Sequence, residues 1–540
     1  MLSQKVLELL QPLYAYRRMV VMVSIVSILL GLVPPYFMGV LTYEIGSYSP
    51  SVDHNTYFFI IGTIAAFLII HFFVDWARGY LWADLINKGA GLTRSFFFEN
   101  VLHKKYSFFH ENHTGDINNK VINDSYIYVQ SKLAIRPRMI LDLGHIVVIF
   151  IILFTLNPYM KLMTLMFSVA FLFVYMLLNK HLRNHSIKER EGFSALMDEA
   201  SETITGINTI QLYTAEDYFA KHFEKAVDRY ENKLGNLKFW QTLSKSATEA
   251  ISSIIPLAAI AAGVVHLVSG GNITIESILA FYYFLPNLKT PIKELADFNI
   301  SLQNAKAVEK RLEQILERED IDTGNCEDIQ MIEKITFKDL CFTYENGKEA
   351  IKNLNVDLQR GDILTITGSS GTGKSTLLRL LKRQIEPTSG SIYVNDRDYM
   401  DIKRSAYIRK ISVVTQEVFV FDASIHDNIS FSHKYPEIRV RQAAELSMLE
   451  HVSLDENALG LSGGESQRIG LARAIASDYD VLILDEPTSE LDELTESKVI
   501  ESLKKIQAET NKIMIVVTHS QNVIENLSTK QINIGNRTTR

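Results

Sequence analysis

Two unlike halves are predicted: an all-α transmembrane domain of six helices with long cytosolic helical extensions, then an α/β domain of the P-loop NTPase class. Three observations predict this. Long apolar runs occur only before about residue 300. Gly368-Ser369-Ser370-Gly371-Thr372-Gly373-Lys374-Ser375 fits G-x-x-x-x-G-K-[ST], between an apolar strand at 363–366 and a helix at 376–381. From Ile332 onward strands and helices alternate, as in a mainly parallel sheet.

A chain of 540 residues is too long for one core. The expected division is a membrane domain at 1–318, a linker at 319–331 and a nucleotide-binding domain at 332–540. The net charge of −7 lacks the basic excess of a nucleic-acid binder, so no nucleic-acid partner is expected. Cys326 and Cys341 are too few for a disulfide framework and are expected to be free cytosolic thiols.

In chain order, residues 1–18 read as a short surface helix closed by Arg17 and Arg18. Runs at 19–41 and 57–80 are long enough to cross a hydrocarbon layer of about 30 Å. Further spans are expected at 139–156 and 160–178, joined at Asn157-Pro158, and at 247–268 and 275–295. Pro286, Lys289 and Pro291 interrupt the last. The connections 42–56 and 269–274 contain no Lys or Arg, whereas 83–138 and 179–245 are rich in both. The lipid bilayer is therefore a partner, and the N-terminus, both long connections and everything after residue 296 are placed in the cytosol.

The two long connections show helical spacing and few breakers. At 1.5 Å per residue, about 25 residues project roughly 35–40 Å from the membrane. Turns are expected at 112–119, which contains Gly115-Asp116, and at 213–217. His71, Asp75, Arg78, Asp142, His145 and His266 fall inside spans, where ionisable groups face a bundle interior or a water path. Asp75 and Arg78 are spaced to pair, and His71 and Asp142 are candidates for a cavity wall. The run Phe281-Tyr282-Tyr283-Phe284 reads as packing or lipid-facing surface.

In the second half, glycines at 368, 371 and 373 let backbone N–H groups approach phosphate oxygens. Lys374 offers a point cation to the β- and γ-phosphates, and Ser375 offers Mg²⁺ a hydroxyl. A strand at 481–484 ends in Asp485-Glu486, about 110 residues downstream. That is the metal-and-water arm of an ATPase, with Asp485 holding Mg²⁺ and Glu486 polarising the attacking water. A strand at 513–517 ends at Thr518-His519; neighbouring parallel strands converge on one edge, which brings His519 to the γ-phosphate. Leu461-Ser462-Gly463-Gly464-Glu465 precedes a helix at 466–476 carrying Arg468 and Arg473, and a hydroxyl with two glycines before a helix forms an anion site. It lies far along the chain from the first loop.

Together these motifs resemble the ATP-binding cassette of ABC transporters, and the six-span half resembles the exporter type of membrane domain, over nearly the whole chain. Residues 368–375 resemble the Walker A loop, 481–486 the Walker B strand, 461–465 the signature motif and 489–492 the D-loop. Gln416 is similar to the Q-loop glutamine, His519 to the switch histidine and Tyr344 to the aromatic that stacks on adenine. Gly115-Asp116 and Ala215-Glu216-Asp217 fall where the family has coupling turns.

The resemblance implies ATP and Mg²⁺ as cofactors. Catalysis would rest on Glu486, Gln416 and His519, and the metal on Ser375, Gln416 and Asp485. Nucleotide contacts would come from Tyr344, Gly368, Ser369, Ser370, Gly371, Thr372, Gly373, Lys374, Ser375 and Thr376, and across a dimer from Ser462, Gly463 and Gly464. It also implies a dimer of half-transporters, a homodimer ahead of a heterodimer, exporting a peptide, lipid or amphipathic small molecule across a bacterial cytoplasmic membrane. The competing expectations are a heterodimer subunit and a membrane-anchored regulatory ATPase. An importer is disfavoured because both halves share one chain. Departures from the family pattern are Glu465 where glutamine is commoner, Glu490 where alanine is usual and a short stretch before Leu461 with only Asp455-Glu456-Asn457 as a coupling loop. A C-terminal dimer-contact helix is not expected after Gly535.

Overall fold

The computed structural model describes residues 2–46, 54–156, 158–270, 273–321, 329–369, 371–431, 435–449, 452–489 and 493–534. Cys326, Asn157, Ser370, 490–492 and everything from Gly535 on, all singled out by sequence, lie outside these. Two compact units form: Met1–Glu99 with Gly115–Glu317, and Asn100–Thr114 with Arg318–Arg540.

The first unit is helical. Helix α1 (Leu2–Leu10) is followed after Gln11-Pro12 by α2 (Leu13–Gly46). Arg17 and Arg18 therefore lie within the long helix and do not close a short one. The break comes earlier because Pro12 has no N–H to return to the preceding turn. Helix α3 (His54–Leu102) carries the second predicted span far past residue 80.

The expected turn at 112–119 is instead largely helical. The helix is interrupted at 103–105 and again at 112–113, either side of α4 (Tyr106–Glu111), and α5 (Thr114–Asn119) holds Gly115 and Asp116 in its first turn. An acidic residue in a first turn favours the helix, which explains the difference. Beyond it come a π-helical turn Lys120–Asp124, α6 (Ser125–Gln130), a second π-helical turn Ser131–Ile135, and α7 (Arg136–Leu156).

Helix α8 (Pro158–Thr205) breaks at Gly206, and α9 (Ile207–Leu212) leads through a turn, with Thr214 at φ +48°, into α10 (Glu216–Val268). That reversal agrees with the expected turn at 213–217. Helix α11 (Ile275–Phe284), a 3₁₀ turn Leu285–Leu288 and α12 (Lys289–Glu317) complete the unit. Pro286 sits in the 3₁₀ turn and Pro291 in the first turn of α12, where its missing N–H has no intrahelical acceptor to lose.

All six predicted spans fall in these helices. Among the described residues, four stretches, Leu13–Met38, Phe58–Leu102, Leu165–Thr205 and Glu216–Val268, are long and apolar enough to cross a membrane. The core of this unit joins Leu32, Ile149, Phe167, Phe171, Phe281 and Phe284. Phe281 and Phe284 are thus packing residues, as the aromatic run predicts. Asp75 and Arg78 pair at 2.6 Å, with the Ser27 hydroxyl donating to Asp75 at 3.0 Å.

The second unit contains two sheets. Strands β1 (Lys334–Thr343), β2 (Glu349–Gln359), β4 (Ser389–Val394) and β5 (Arg397–Asp398) form an antiparallel sheet in the order β2-β1-β4-β5. Strands β3 (Ile363–Thr367), β6 (Ile411–Val414), β7 (Val481–Asp485), β8 (Ile513–Val517) and β9 (Lys530–Asn533) form a parallel sheet in the order β6-β7-β8-β3-β9. Every residue of β3 and β8 is buried, as expected of strands covered on both faces. Helix α13 (Lys374–Leu381) follows β3 and packs Leu377, Leu378, Leu380 and Leu381 into the core between the sheets. The remaining helices are α14 (Arg404–Arg409), α15 (Ile425–Ser430), α16 (Glu437–Leu446), α17 (Gly463–Ala476), α18 (Glu493–Thr510) and α19 (Gln521–Leu527). Cys341 is a free thiol, as expected.

Candidate functional site

The loop between β3 and α13 is shaped by backbone that only glycine tolerates. Gly373 has φ +112°, and a Cβ there would run into the Ala350 carbonyl oxygen. Gly368 has φ +149°, and a Cβ would lie 2.5 Å from the Ile534 oxygen, at the end of β9. Thr372 Oγ1 braces the loop by donating to the Ser369 oxygen at 2.8 Å. Lys374 folds back over it, Nζ donating to the oxygens of Gly368 (2.7 Å) and Ser369 (3.2 Å). A loop closed around its own lysine, with Ser375 exposed beside it, fits an anionic ligand with a hard cation.

Three further strands deliver side chains to the same edge. Register pairs β7 with β8 and β8 with β3, so Asp485, Thr518 and the loop lie at adjacent strand ends. His519 Nε2 is 2.9 Å from Lys374 Nζ and 3.6 Å from Glu486 Oε1. Gln416, just past β6, donates from Nε2 to Glu486 Oε2 at 3.0 Å. Gln416, Glu486, His519 and Lys374 therefore form one continuous line of contacts. Glu486 is in the left-handed region at φ +50°, held there by its N–H donating to the Val517 oxygen at 2.9 Å. Such strain gathers where a side chain must point one way. A cavity of about 440 Å³, lined in part by Gly368, Ser369, Thr372, His519 and Asn533, opens beside this line.

Asp485 is half-buried, and burial pushes its carboxyl up, with Glu486 adding to the rise while Lys382 and Lys374 oppose it. A carboxyl raised in the folded state costs stability when ionised, fully so above its folded pKa and not at all below its unfolded one. Asp485→Asn is therefore expected to raise the thermal midpoint of nucleotide-free protein at neutral pH by roughly one to a few degrees, read by a thermal-shift scan. The gain should disappear in acid.

Tyr344 donates to or accepts from Thr376 Oγ1 at 2.8 Å and packs edge-on to Phe342, which places its ring beside the start of α13. Ser462 is an exposed N-cap of α17, in a capping box: its N–H and hydroxyl donate to Glu465 Oε2 at 2.9 and 2.7 Å. Arg473 is committed elsewhere, donating to the oxygens of Asn428 and Phe419 at 2.6 and 2.7 Å, and Arg468 donates to the Met448 oxygen at 3.2 Å. Of the predicted anion site, then, Ser462, Gly463 and Gly464 are presented and the arginines are structural. Asp455-Glu456-Asn457 packs backbone-to-backbone with residues 424–426, which gives this stretch a bracing role.

Residues 19–291 match the family model for the ABC transporter transmembrane region, and residues 351–489 match the family model described as ABC transporter. The chain belongs to the ABC transporter family. Similar curated proteins include an ATP-dependent lipid A-core flippase of Desulfotalea psychrophila, 26% identical over 87% of this chain and 85% of that one. Another is the transport/processing ATP-binding protein ComA of Streptococcus pneumoniae, 24% identical over 94% of this chain and 71% of that one. The fold matches a solved bacterial Atm1-family ABC exporter with ATP bound, at a TM-score of 0.78 and 18% identity, over 96% of this chain and 94% of that one. This ABC transporter is accordingly an ATPase coupled to transport, with a helical membrane-type domain ahead of its α/β nucleotide-binding domain.

Two features of the transporter's site escape sequence reasoning. Strand β9 buttresses Gly368 through Ile534, whose N–H donates to the Thr367 oxygen at 2.9 Å. Glu465 occupies the hydroxyl of Ser462, a relation legible only as the S-x-x-E capping pattern.

Proposed function

We propose that the chain is one half of an exporter that works as a dimer, two copies of itself, in a bacterial cytoplasmic membrane. Its N-terminus and nucleotide-binding unit lie in the cytosol. The observation that carries this reading is the line Gln416–Glu486–His519–Lys374 at one sheet edge. In it, residues 368–376 and Lys374 hold the phosphates, and Tyr344 stacks on adenine. Ser375, Gln416 and Asp485 hold Mg²⁺, which when bound neutralises charge on the β- and γ-phosphates. Glu486 takes a proton from the attacking water and His519 orients the γ-phosphate end. Ser462, Gly463 and Gly464, exposed or half-buried in one copy, serve the nucleotide of the other. Apolar surface awaiting a partner supports the dimer: Leu212, Tyr213 and Tyr218 are exposed at the reversal before α10, and Phe419, Phe421 and Phe431 beyond Gln416.

The proposed substrate class draws support from a cavity of about 460 Å³ in the first unit, lined among others by Arg138, Asp142, Arg190, Glu294 and Phe298. Charges of both signs and an aromatic in the lining favour an amphipathic peptide, lipid or small molecule, consistent with a lipid A-core flippase among the relatives. The test is ATP-driven movement of labelled amphiphiles in vesicles carrying purified protein. Mass measurement of the complex should return two identical chains; a second polypeptide of equal stoichiometry would make it a heterodimer.

Glu465 makes a further prediction. Its carboxylate puts negative charge against donors assigned here to a partner's nucleotide. Glu465→Gln keeps an acceptor and removes that charge, so the KM for ATP should fall about two- to five-fold. An unchanged or higher KM in the ATP dependence of turnover would count against the role given to Ser462.

A further inference from the structure

Gln467, in the second turn of α17, is a polar side chain on an otherwise apolar buried face, at 8% exposure. Its Oε1 is buried and meets no hydrogen-bond donor among the described residues. The Nε of the next residue, Arg468, is likewise buried without an acceptor among them. The guanidinium is nevertheless held in place, since its Nη1 donates to the Met448 oxygen at 3.2 Å. A cavity of about 20 Å³ lies against both side chains, lined also by Val414, Leu471, Val499 and Glu486.

The size and the chemistry of this cavity agree. One water needs about 10–15 Å³ of such space and two to four polar partners, so there is room for one. An orphaned donor and an orphaned acceptor are costly when buried, and a bridging water recovers most of what a direct bond would give. The third partner is Glu486: its Oε2 accepts from Gln416 at 3.0 Å, and a carboxylate keeps further lone pairs to spare. Neither Lys374 nor His519 is in the described lining, so this is not the water that Glu486 would activate.

We infer that a single buried water accepts from Arg468 Nε and donates to Gln467 Oε1 and to the Glu486 carboxylate. Gln467 is then a positioning residue: its oxygen fixes which way the water points, and the water fixes the carboxylate from the α17 side while Gln416 holds it from β6. The positioning role rests on the base role proposed for Glu486; the water site does not.

The test compares Gln467→Leu with Gln467→Ala in the full chain in lipid. Leucine puts an apolar branch where the acceptor was, and kcat should fall about 5–20-fold with the KM for ATP within two-fold. Alanine leaves room for a second water in place of the amide oxygen, so kcat should stay within about three-fold of wild type. A residue that served packing alone would give the opposite order, because alanine forfeits more contacts than leucine. That opposite order, equal losses, or a KM that moves with kcat overturns the inference. In a Glu486→Gln background, Gln467→Leu should change turnover less than two-fold, and a fully additive loss also overturns it. Density of the wild-type chain at about 2 Å resolution reads the site without activity. It should show one water within about 3.2 Å of Gln467 Oε1, Arg468 Nε and a Glu486 oxygen, and density with no water there overturns the inference even if a variant fails to fold. If Glu486→Gln itself keeps turnover within ten-fold, the base assignment falls with the positioning role, and the density still decides the water.

Discussion

Glu486→Gln is expected to slow ATP turnover by about 10²–10⁴-fold while leaving ATP affinity within a few-fold. The side chain is 20% exposed, and glutamine keeps its volume and an oxygen to accept from Gln416, now at 3.0 Å. What glutamine lacks is a site to receive a proton. Its backbone is held by the Val517 oxygen and by Ser489, whose hydroxyl donates to the Glu486 oxygen at 3.1 Å, so the strained φ survives the exchange. The thermal midpoint should therefore stay within a degree or two. Single-turnover hydrolysis alongside a nucleotide-binding isotherm separates the two effects. Turnover within ten-fold of wild type would move the base elsewhere, and ATP-dependent vesicle uptake surviving the exchange would break the link between hydrolysis and transport.

Arg311→Met is expected to cost the first unit about 3–5 kcal/mol, and Asp124→Asn clearly less. The pair is a fork, Arg311 Nε and Nη2 donating to the two Asp124 oxygens at 2.8 and 2.6 Å, but its halves sit in different surroundings. The Asp124 side chain is 2% exposed and the Arg311 side chain 47%. Losing the arginine strands a carboxylate out of water, whereas losing the carboxylate leaves a guanidinium that water can still reach. Rates of thermal inactivation in lipid give the order. Equal effects would mean that Asp124 finds water when its partner goes. The double replacement Asp124→Leu with Arg311→Met should recover part of the loss, since no charge is then left buried.

Sequence reveals most where chemistry constrains the backbone. The glycine-rich loop is readable because glycine is required at 368 and 373, and the candidate catalytic edge because parallel strands ending at Asp485 and Val517 bring Glu486 and His519 to one side of the sheet. The helices of the membrane half announce themselves by apolar length. The buried Lys104 gives no signal: its partners, the Arg318 oxygen and Asp320, lie 214 and 216 residues away, and a buried lysine looks like any other lysine in sequence. Gly115 reads as a breaker and so suggests a turn at 112–119, whereas the first turn of a helix tolerates glycine. Arg17 and Arg18 read as a helix end, yet Arg17 lies over the Tyr14 ring at 4.6 Å inside a continuing helix.

The two π-helical turns before α7 bear on how this chain has room to change. Each admits one residue more than an α turn, and one residue is worth about 100° of rotation about the axis. Arg138 and Asp142 meet the cavity only at the phase those two surplus residues set. Dropping a single residue along 120–135 would turn Arg138 and Asp142 by about 100° about the helix axis, away from the cavity they line.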